Sequence, residues 1–274
     1  MNKFFKSSTV LILAFAMVLF VSGCDTKQES ALHNGSTAQS SNETVELTVS
    51  AAASLTDALK EIQKAYESNA KTVKLNFSFG ASGALQQQIE QGAPADLFLS
   101  AATKNMKALV DQELIDKDKQ KTLLTNELVV VIPKDAETTI GSMNELTKAG
   151  IKNIAIGIPE SVPAGNYAKE ALTNAELWDD LQGRIVQGKD VRQVLQYVET
   201  GNADAGFVYK TDALTSKTVK IAFTIDPLTY APVEYPIGIV KATKHSKEAE
   251  DFYAYLQSKE SLDVFAKYGF SIPK

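Results

Sequence analysis

Residues 45–59 read VELTVSAAASLTDAL, and the fold class follows from how this stretch divides. Val45 to Ser50 alternates apolar and polar residues with the period of a half-buried strand. Three alanines and Ser54 follow, after which Leu55, Ala58, Leu59, Ile62 and Tyr66 share one face at helical spacing. The stretch predicts a strand that turns tightly into an amphipathic helix. Ser54 stands where an N-cap is expected, with Asp57 three residues later in the position of a capping box.

Downstream the unit repeats. Val73 to Phe79 alternates, Gly80-Ala81-Ser82-Gly83 turns, and Ala84 to Gln91 predicts a short helix closed by Gly92, again with a serine ahead of the helix. Asp96 to Ser100 reads as a third strand, followed by a helix around Met106, Leu109 and Val110, while the run Asp116 to Lys121 reads as a solvated helix face. LVVVIP at 128–133 reads as a buried strand, and the pattern then restarts. A strand from Ile154 to Gly157 enters the turn Pro163-Ala164-Gly165, with a helix from about Asn166 and another around Trp178 and Leu181. A strand from Arg184 to Val186, a helix after Asp190 and a short strand from Ala205 to Tyr209 come next. The last apolar strand, Pro236 to Val240, precedes a C-terminal helix with Phe252, Tyr255 and Leu256 on one face.

Strands alternating with helices imply α/β architecture with largely parallel sheets covered on both faces. With two such units and a strand late in the chain, the economical arrangement returns the C-terminal segment to the first lobe. Residues 45–126 plus 230–274 then form lobe I and residues 127–229 lobe II, with hinges near Thr125-Asn126 and between Thr229 and Pro232.

Upstream, Lys3 and Lys6 precede an uncharged run from Val10 to Val21. A run this short suits a secretory h-region of roughly 7–15 residues better than a spanning helix of about 20, so residues 1–23 predict a signal peptide. Val21-Ser22-Gly23-Cys24 resembles the lipobox of bacterial lipoproteins, which implies cleavage before Cys24 and its acylation as a membrane anchor on the extracytoplasmic face. Cys24 is the only cysteine, so it has no internal disulfide partner. With it, residues 24–44 form a Ser-, Thr-, Asn- and Gln-rich stretch that predicts a flexible tether.

The remaining chain has room for two domains, and 44% hydrophobic with 22% charged residues over the full sequence is ordinary globular composition. Loss of residues 1–23 removes two lysines and no acid, taking the formal charge from -5 to -7. That charge argues against nucleic acid as a partner. It also means that a bound anion must be held by local dipoles rather than by a basic field.

Open α/β sheets bind ligands outside the carboxyl ends of their strands, where helix N-termini converge. Four turns fit, at Ser54, Ser82, Ala164 and Val191. Each helix start offers unpaired N–H groups and about half a positive charge, the equipment for an anion. Serine hydroxyls, and a tyrosine at a strand end such as Tyr209, can donate as well. A molybdate, tungstate or sulfate dianion carries no proton and wants donors only, whereas hydrogen phosphate favours a site with an acceptor. Asp57 and Asp190 keep phosphate open as an alternative at this point.

The same residues resemble the molybdate-binding proteins of ABC transporters, the ModA family, over nearly all of Val45 to Pro273. The resemblance is carried by VSAAASLTDAL at 49–59, the Ser82 turn, QGAPADLFLSA at 91–101, LVVVIPK at 128–134 and VPAGNYAKEAL at 162–172. It continues through DVR at 190–192, GFVYKTDAL at 206–214, VEYPIGIV at 233–240 and KYGFSIP at 267–273. It implies a two-lobed periplasmic-binding-protein fold of type II with a two-strand hinge, and a monomer that takes molybdate or tungstate as ligand and needs no cofactor. The partners implied are a membrane permease and its cytoplasmic ATPase. Ser54, Ser82, Ala164, Val191 and Tyr209 would hold the oxyanion without a charged side chain. Gly80-Ala81 before Ser82 and Gly83-Ala84 after it depart from relatives in which extra Ser or Thr is common.

Two other readings start from short motifs. Gly80-Ala81-Ser82-Gly83-Ala84 nearly matches the G-x-S-x-G nucleophile elbow of serine hydrolases, but the last glycine is missing and the one histidine after it is His245. Gly183 to Lys189 spells G-x-x-x-x-G-K, but Asp190 stands where a P-loop needs a hydroxyl. His33 and His245 with Cys24 make no transition-metal cluster.

Overall fold

The computed structural model describes residues 44–273, so the signal peptide, Cys24 and the tether read from the sequence lie outside the described residues. The opening stretch becomes β1 (Val45–Ala52), a 3-10 turn (Ala53–Leu55) and α1 (Thr56–Asn69). Next come β2 (Val73–Gly80), α2 (Ser82–Glu90), β3 (Leu97–Leu99), α3 (Thr103–Asp111) and β4 (Ile115–Asn126). A second series runs through β5 (Leu128–Pro133), β6 (Ile154–Gly157), α4 (Pro163–Asn174), α5 (Trp178–Leu181) and β7 (Ile185–Gly188). It ends with α6 (Val191–Glu199), β8 (Ala205–Tyr209), α7 (Lys210–Thr215) and β9 (Val219–Thr224). The chain closes with β10 (Val233–Val240), α8 (Ser246–Leu256) and α9 (Lys259–Lys267).

Two five-stranded sheets result, ordered β2-β1-β3-β10-β4 and β7-β6-β8-β5-β9. In the first, β1 pairs parallel with β2 and β3, while β10 pairs antiparallel with both β3 and β4. Four strands therefore run one way and β10 alone runs against them. The second sheet repeats this with β5 as the reversed strand. Each reversed strand follows a crossing from the other sheet, through Glu127 into β5 and through residues 225–232 into β10.

Apolar spacing decides which faces are covered. Leu55, Ala58, Leu59, Ile62 and Tyr66 are all buried, as their shared face requires, with Leu55, Leu59 and Ile62 contributing roughly 1.5–3 kcal/mol each. Leu128 to Ile132 are at most 1% exposed, the continuous burial of a strand with both faces covered. α6 sets Val191, Val194, Leu195 and Val198 against the second sheet.

The run Asp116 to Lys121 is not a helix face. It lies in β4, an edge strand that pairs with β10 and, on its other side, meets a bridge from Ser271 only at Thr125, beyond this run. The run contains no apolar residue to set a period, so the sequence carries no phase there, and its charges suit an edge that must not recruit another strand. β9, absent from the sequence reading, forms the edge of the other sheet. The expected C-terminal helix is two helices, with Ser258 between them accepting from the Ser261 N–H at 3.3 Å to cap the second.

α4 approaches β6 so closely that a Cβ on Gly165 would fall on the Gly157 carbonyl oxygen. The oxygen is main chain and the Cβ position is fixed by the main chain, so neither can turn aside. Gly165→Ala should therefore destabilise the fold by about 1–3 kcal/mol, read as a lower urea midpoint. An unchanged midpoint would mean that α4 is free to shift outward.

Candidate functional site

The carboxyl ends of β1, β2 and β3 lead to Ser54, Ser82 and Ala101, and those of β6, β7 and β8 lead to Ala164, Val191 and Tyr209. All six residues line one cavity with at most about 200 Å³ of empty space. The structure thus brings together the five residues singled out in the sequence, from both sheets. The volume suits a small ion and falls below the roughly 300–1,000 Å³ of a drug-sized ligand. No lining residue carries a charged side chain: the rest of the wall is Ala52, Ala53, Gly80, Ala81, Val162 and Pro163.

Neither serine is a helix cap, contrary to the sequence reading. Ser54 lies inside the 3-10 turn and α1 starts from Leu55, while Ser82 is the first residue of α2 after an Ala81 N-cap. Their hydroxyls have other partners. Ser54 Oγ is 2.9 Å from the hydroxyl of Tyr235, and Ser82 Oγ accepts from the Ala101 N–H at 2.9 Å. Both serines are at most 3% exposed.

In the second lobe, Pro163 opens α4 without an N–H to satisfy, leaving those of Ala164 and Gly165 in the first turn. α6 is capped by Asp190, whose carboxylate accepts from the Gln193 N–H at 2.9 Å. The Val191 N–H precedes that bond and belongs to the unpaired first turn. Tyr209 ends β8 with its hydroxyl fully buried and no hydrogen-bond partner among the described residues. Burial holds its phenol, like that of Tyr235, well above the ordinary pKa, so both stay protonated.

Several bonds join the two lobes around this cavity. The Gly83 N–H donates to the Ser161 carbonyl at 2.9 Å, and a Cβ on Gly83 would stand 2.7 Å from that same oxygen. Lys104 Nζ donates to Asn166 Oδ1 at 2.8 Å, and Arg192 Nη2 donates to Asp57 Oδ2 at 2.6 Å. Arg192 Nε also approaches Asp212 Oδ1 to 2.7 Å, an ion pair whose alignment falls short of a hydrogen bond. Against burial, which pulls it down, the two carboxylates hold the Arg192 pKa above its ordinary value.

Tyr235, Asn126, Arg192 and Asp212 were not found in the sequence as site residues. Their partners lie far along the chain, and no local spacing announces them. Asp57 and Asp190, which kept phosphate open, are committed to Arg192 and Gln193 and do not line the cavity. His245 lies at the N-cap of α8 and lines a different cavity from Ser82.

Residues 47–271 match the family model described as bacterial extracellular solute-binding protein. The chain is similar to YvgL of Bacillus subtilis (strain 168), named an ABC transporter substrate-binding lipoprotein, at 51% identity over 97% of this chain and 99% of that protein. It is 41% identical to the molybdate-binding protein ModA of Haemophilus influenzae, over 82% of this chain and 89% of that one. Among solved structures, the periplasmic molybdate-binding protein of Azotobacter vinelandii superposes with a TM-score of 0.76 at 25% identity, covering 83% of this chain and 100% of that chain. These relatives are solute-binding proteins, not enzymes.

Asp212 is buried, and burial pushes its carboxyl from 3.8 up to about 6 despite the nearby Arg192 guanidinium. The native state therefore binds this proton more tightly than the unfolded chain. Stability from this group is highest below the unfolded value and falls as pH rises towards the native value. Between about pH 4 and about pH 7, unfolding in urea should show the wild type losing about 1–3 kcal/mol more than Asp212→Asn. Equal slopes for the two chains would show that Arg192 compensates the carboxylate fully.

Proposed function

The chain belongs to the bacterial extracellular solute-binding protein family, as a substrate-binding protein of ABC transporters related to ModA, and we propose that its ligand is molybdate, with tungstate bound alike. One observation carries the reading: a small cavity with no charged wall, into which a buried phenol without a partner among the described residues, two buried serines and the first turns of α2, α4 and α6 converge. Such a wall offers donors to every oxygen of a tetrahedral dianion and has no cation to neutralise it. Ser54 and Ser82 donate from the first lobe, the backbone N–H groups of Ala164 and Val191 and the Tyr209 hydroxyl from the second. ModA relatives at 41–42% identity, named for molybdate, support this choice among oxyanions.

Capture uses the two crossings as a hinge. Donors from both lobes reach the ion only when the lobes meet, so the ion favours the closed form by the difference in its contacts between the two states. The closed form then delivers the ion to a membrane permease driven by an ATPase. Five to seven charge-assisted bonds at about 1.5–3 kcal/mol each, less desolvation and closure, leave room for micromolar to nanomolar affinity, about -8 to -12 kcal/mol.

In calorimetry with molybdate, tungstate, sulfate and phosphate, molybdate and tungstate should bind most tightly. Ser54→Ala, Ser82→Ala and Tyr209→Phe should each cost about 1.5–3 kcal/mol of affinity. Tyr209→Phe should leave the ligand-free urea midpoint unchanged or raised, because it removes a buried hydroxyl that lacks a partner among the described residues. No heat, and no rise in melting temperature, with any of these anions would sink the reading.

The same proposal places the protein on the extracytoplasmic face of the membrane through a lipid on Cys24. Cys24→Ser should move the protein from the membrane fraction to the medium or periplasm on cell fractionation. Retention in the membrane fraction of a serine variant that has lost residues 1–23 would rule out this anchor.

A further inference from the structure

The Ser54 hydroxyl has a supporting chain that runs back to the crossing between the lobes. Asn126, the last residue of β4, accepts the Glu127 N–H on Oδ1 at 2.9 Å. That bond fixes which way the amide faces, so the atom turned towards Thr211 Oγ1 at 2.9 Å and the Tyr235 hydroxyl at 3.3 Å is the nitrogen. An amide nitrogen only donates. The Tyr235 oxygen therefore accepts from Asn126, and among the described residues the acceptor left for its own buried proton is Ser54 Oγ, 2.9 Å away. Tyr235 is 1% exposed, and its ring is set edge-on between Tyr209 and Phe270, which leaves the phenol little room to turn. Ser54, with its oxygen already accepting, has its hydroxyl proton available to the cavity that it lines. At Ser82 the Ala101 N–H imposes the same polarity from the backbone.

We infer that Asn126 and Tyr235 are specificity-determining positioning residues: they hold the Ser54 hydroxyl as a donor and so select fully deprotonated dianions against those that retain a proton. Hydrogen phosphate has the same charge as molybdate, but its P–O–H must find an acceptor, and Ser54, with one lone pair filled by Tyr235 and its proton turned to the cavity, is a poor one. The inference rests on the oxyanion reading of the cavity and adds to it the residues that set the polarity of the Ser54 hydroxyl.

Calorimetry at mildly alkaline pH, where inorganic phosphate is the hydrogen phosphate dianion, tests it with sodium molybdate and sodium phosphate as the two probes. In Tyr235→Phe the serine oxygen is released to accept. Molybdate binding should weaken while phosphate binding holds or improves, so that the ratio of their affinities falls by roughly tenfold, about one hydrogen bond's worth. Asn126→Asp should move the ratio in the same direction, because a carboxylate draws the phenol's proton away from Ser54. Its added charge acts on both dianions alike and cancels in the ratio. General loosening of the site would weaken both ions together, so a ratio unchanged in both variants, with wild type binding molybdate, overturns the role given to Asn126 and Tyr235. If Tyr235→Phe does not fold, the ratio in Asn126→Asp decides. Absence of molybdate binding to the wild type would instead overturn the oxyanion reading, and this inference with it.

Discussion

In each sheet one strand runs against the other four, and that strand is the one that has just crossed from the other lobe. The arrangement has a geometric consequence. A strand ending at the gap must be followed by one beginning at the gap, so the carboxyl ends of the parallel strands in both sheets face the same space. The turns after β1, β2, β6, β7 and β8 are brought together for that reason. Helix starts that would be ordinary surface features on separate domains become walls of one cavity.

The chemistry inside the cavity follows from what such walls contain. Backbone N–H groups and hydroxyls are donors whose burial is costly until an acceptor arrives. The charged groups nearby are spent on one another: Arg192 serves Asp57 and Asp212, and Asp190 caps α6. An acidic protein can hold a dianion in this way because the charge is met by many small dipoles at short range, with no cation whose own desolvation must be offset.

Much of this was legible in the sequence. The strand-turn-helix units showed themselves by a change of period, from two to 3.6, at Ser54 and Ser82; helix starts at strand ends added Ala164 and Val191, with Tyr209 as a further donor, and the resemblance fell on the same five residues. What the serines do was not legible. The pattern suggested caps, but Ser54 meets Tyr235 across 181 positions, a contact that only tertiary structure creates. Asn126 was placed at the hinge and not in the site for the same reason. The run Asp116 to Lys121 failed differently: with no apolar residue it had no face to reveal, and charge alone fits an exposed helix and an edge strand equally well.

The contact of Gly83 with Ser161 is made wholly of main chain. The bonds of Lys104 and Arg192 across the gap can be deleted by trimming a side chain, whereas this one is disrupted only by adding atoms. At a glycine, replacement by alanine takes nothing away and adds one carbon. Here the smallest possible addition meets the opposite lobe. The position is therefore sensitive to growth rather than to loss, and its importance is invisible to any method that works by subtraction.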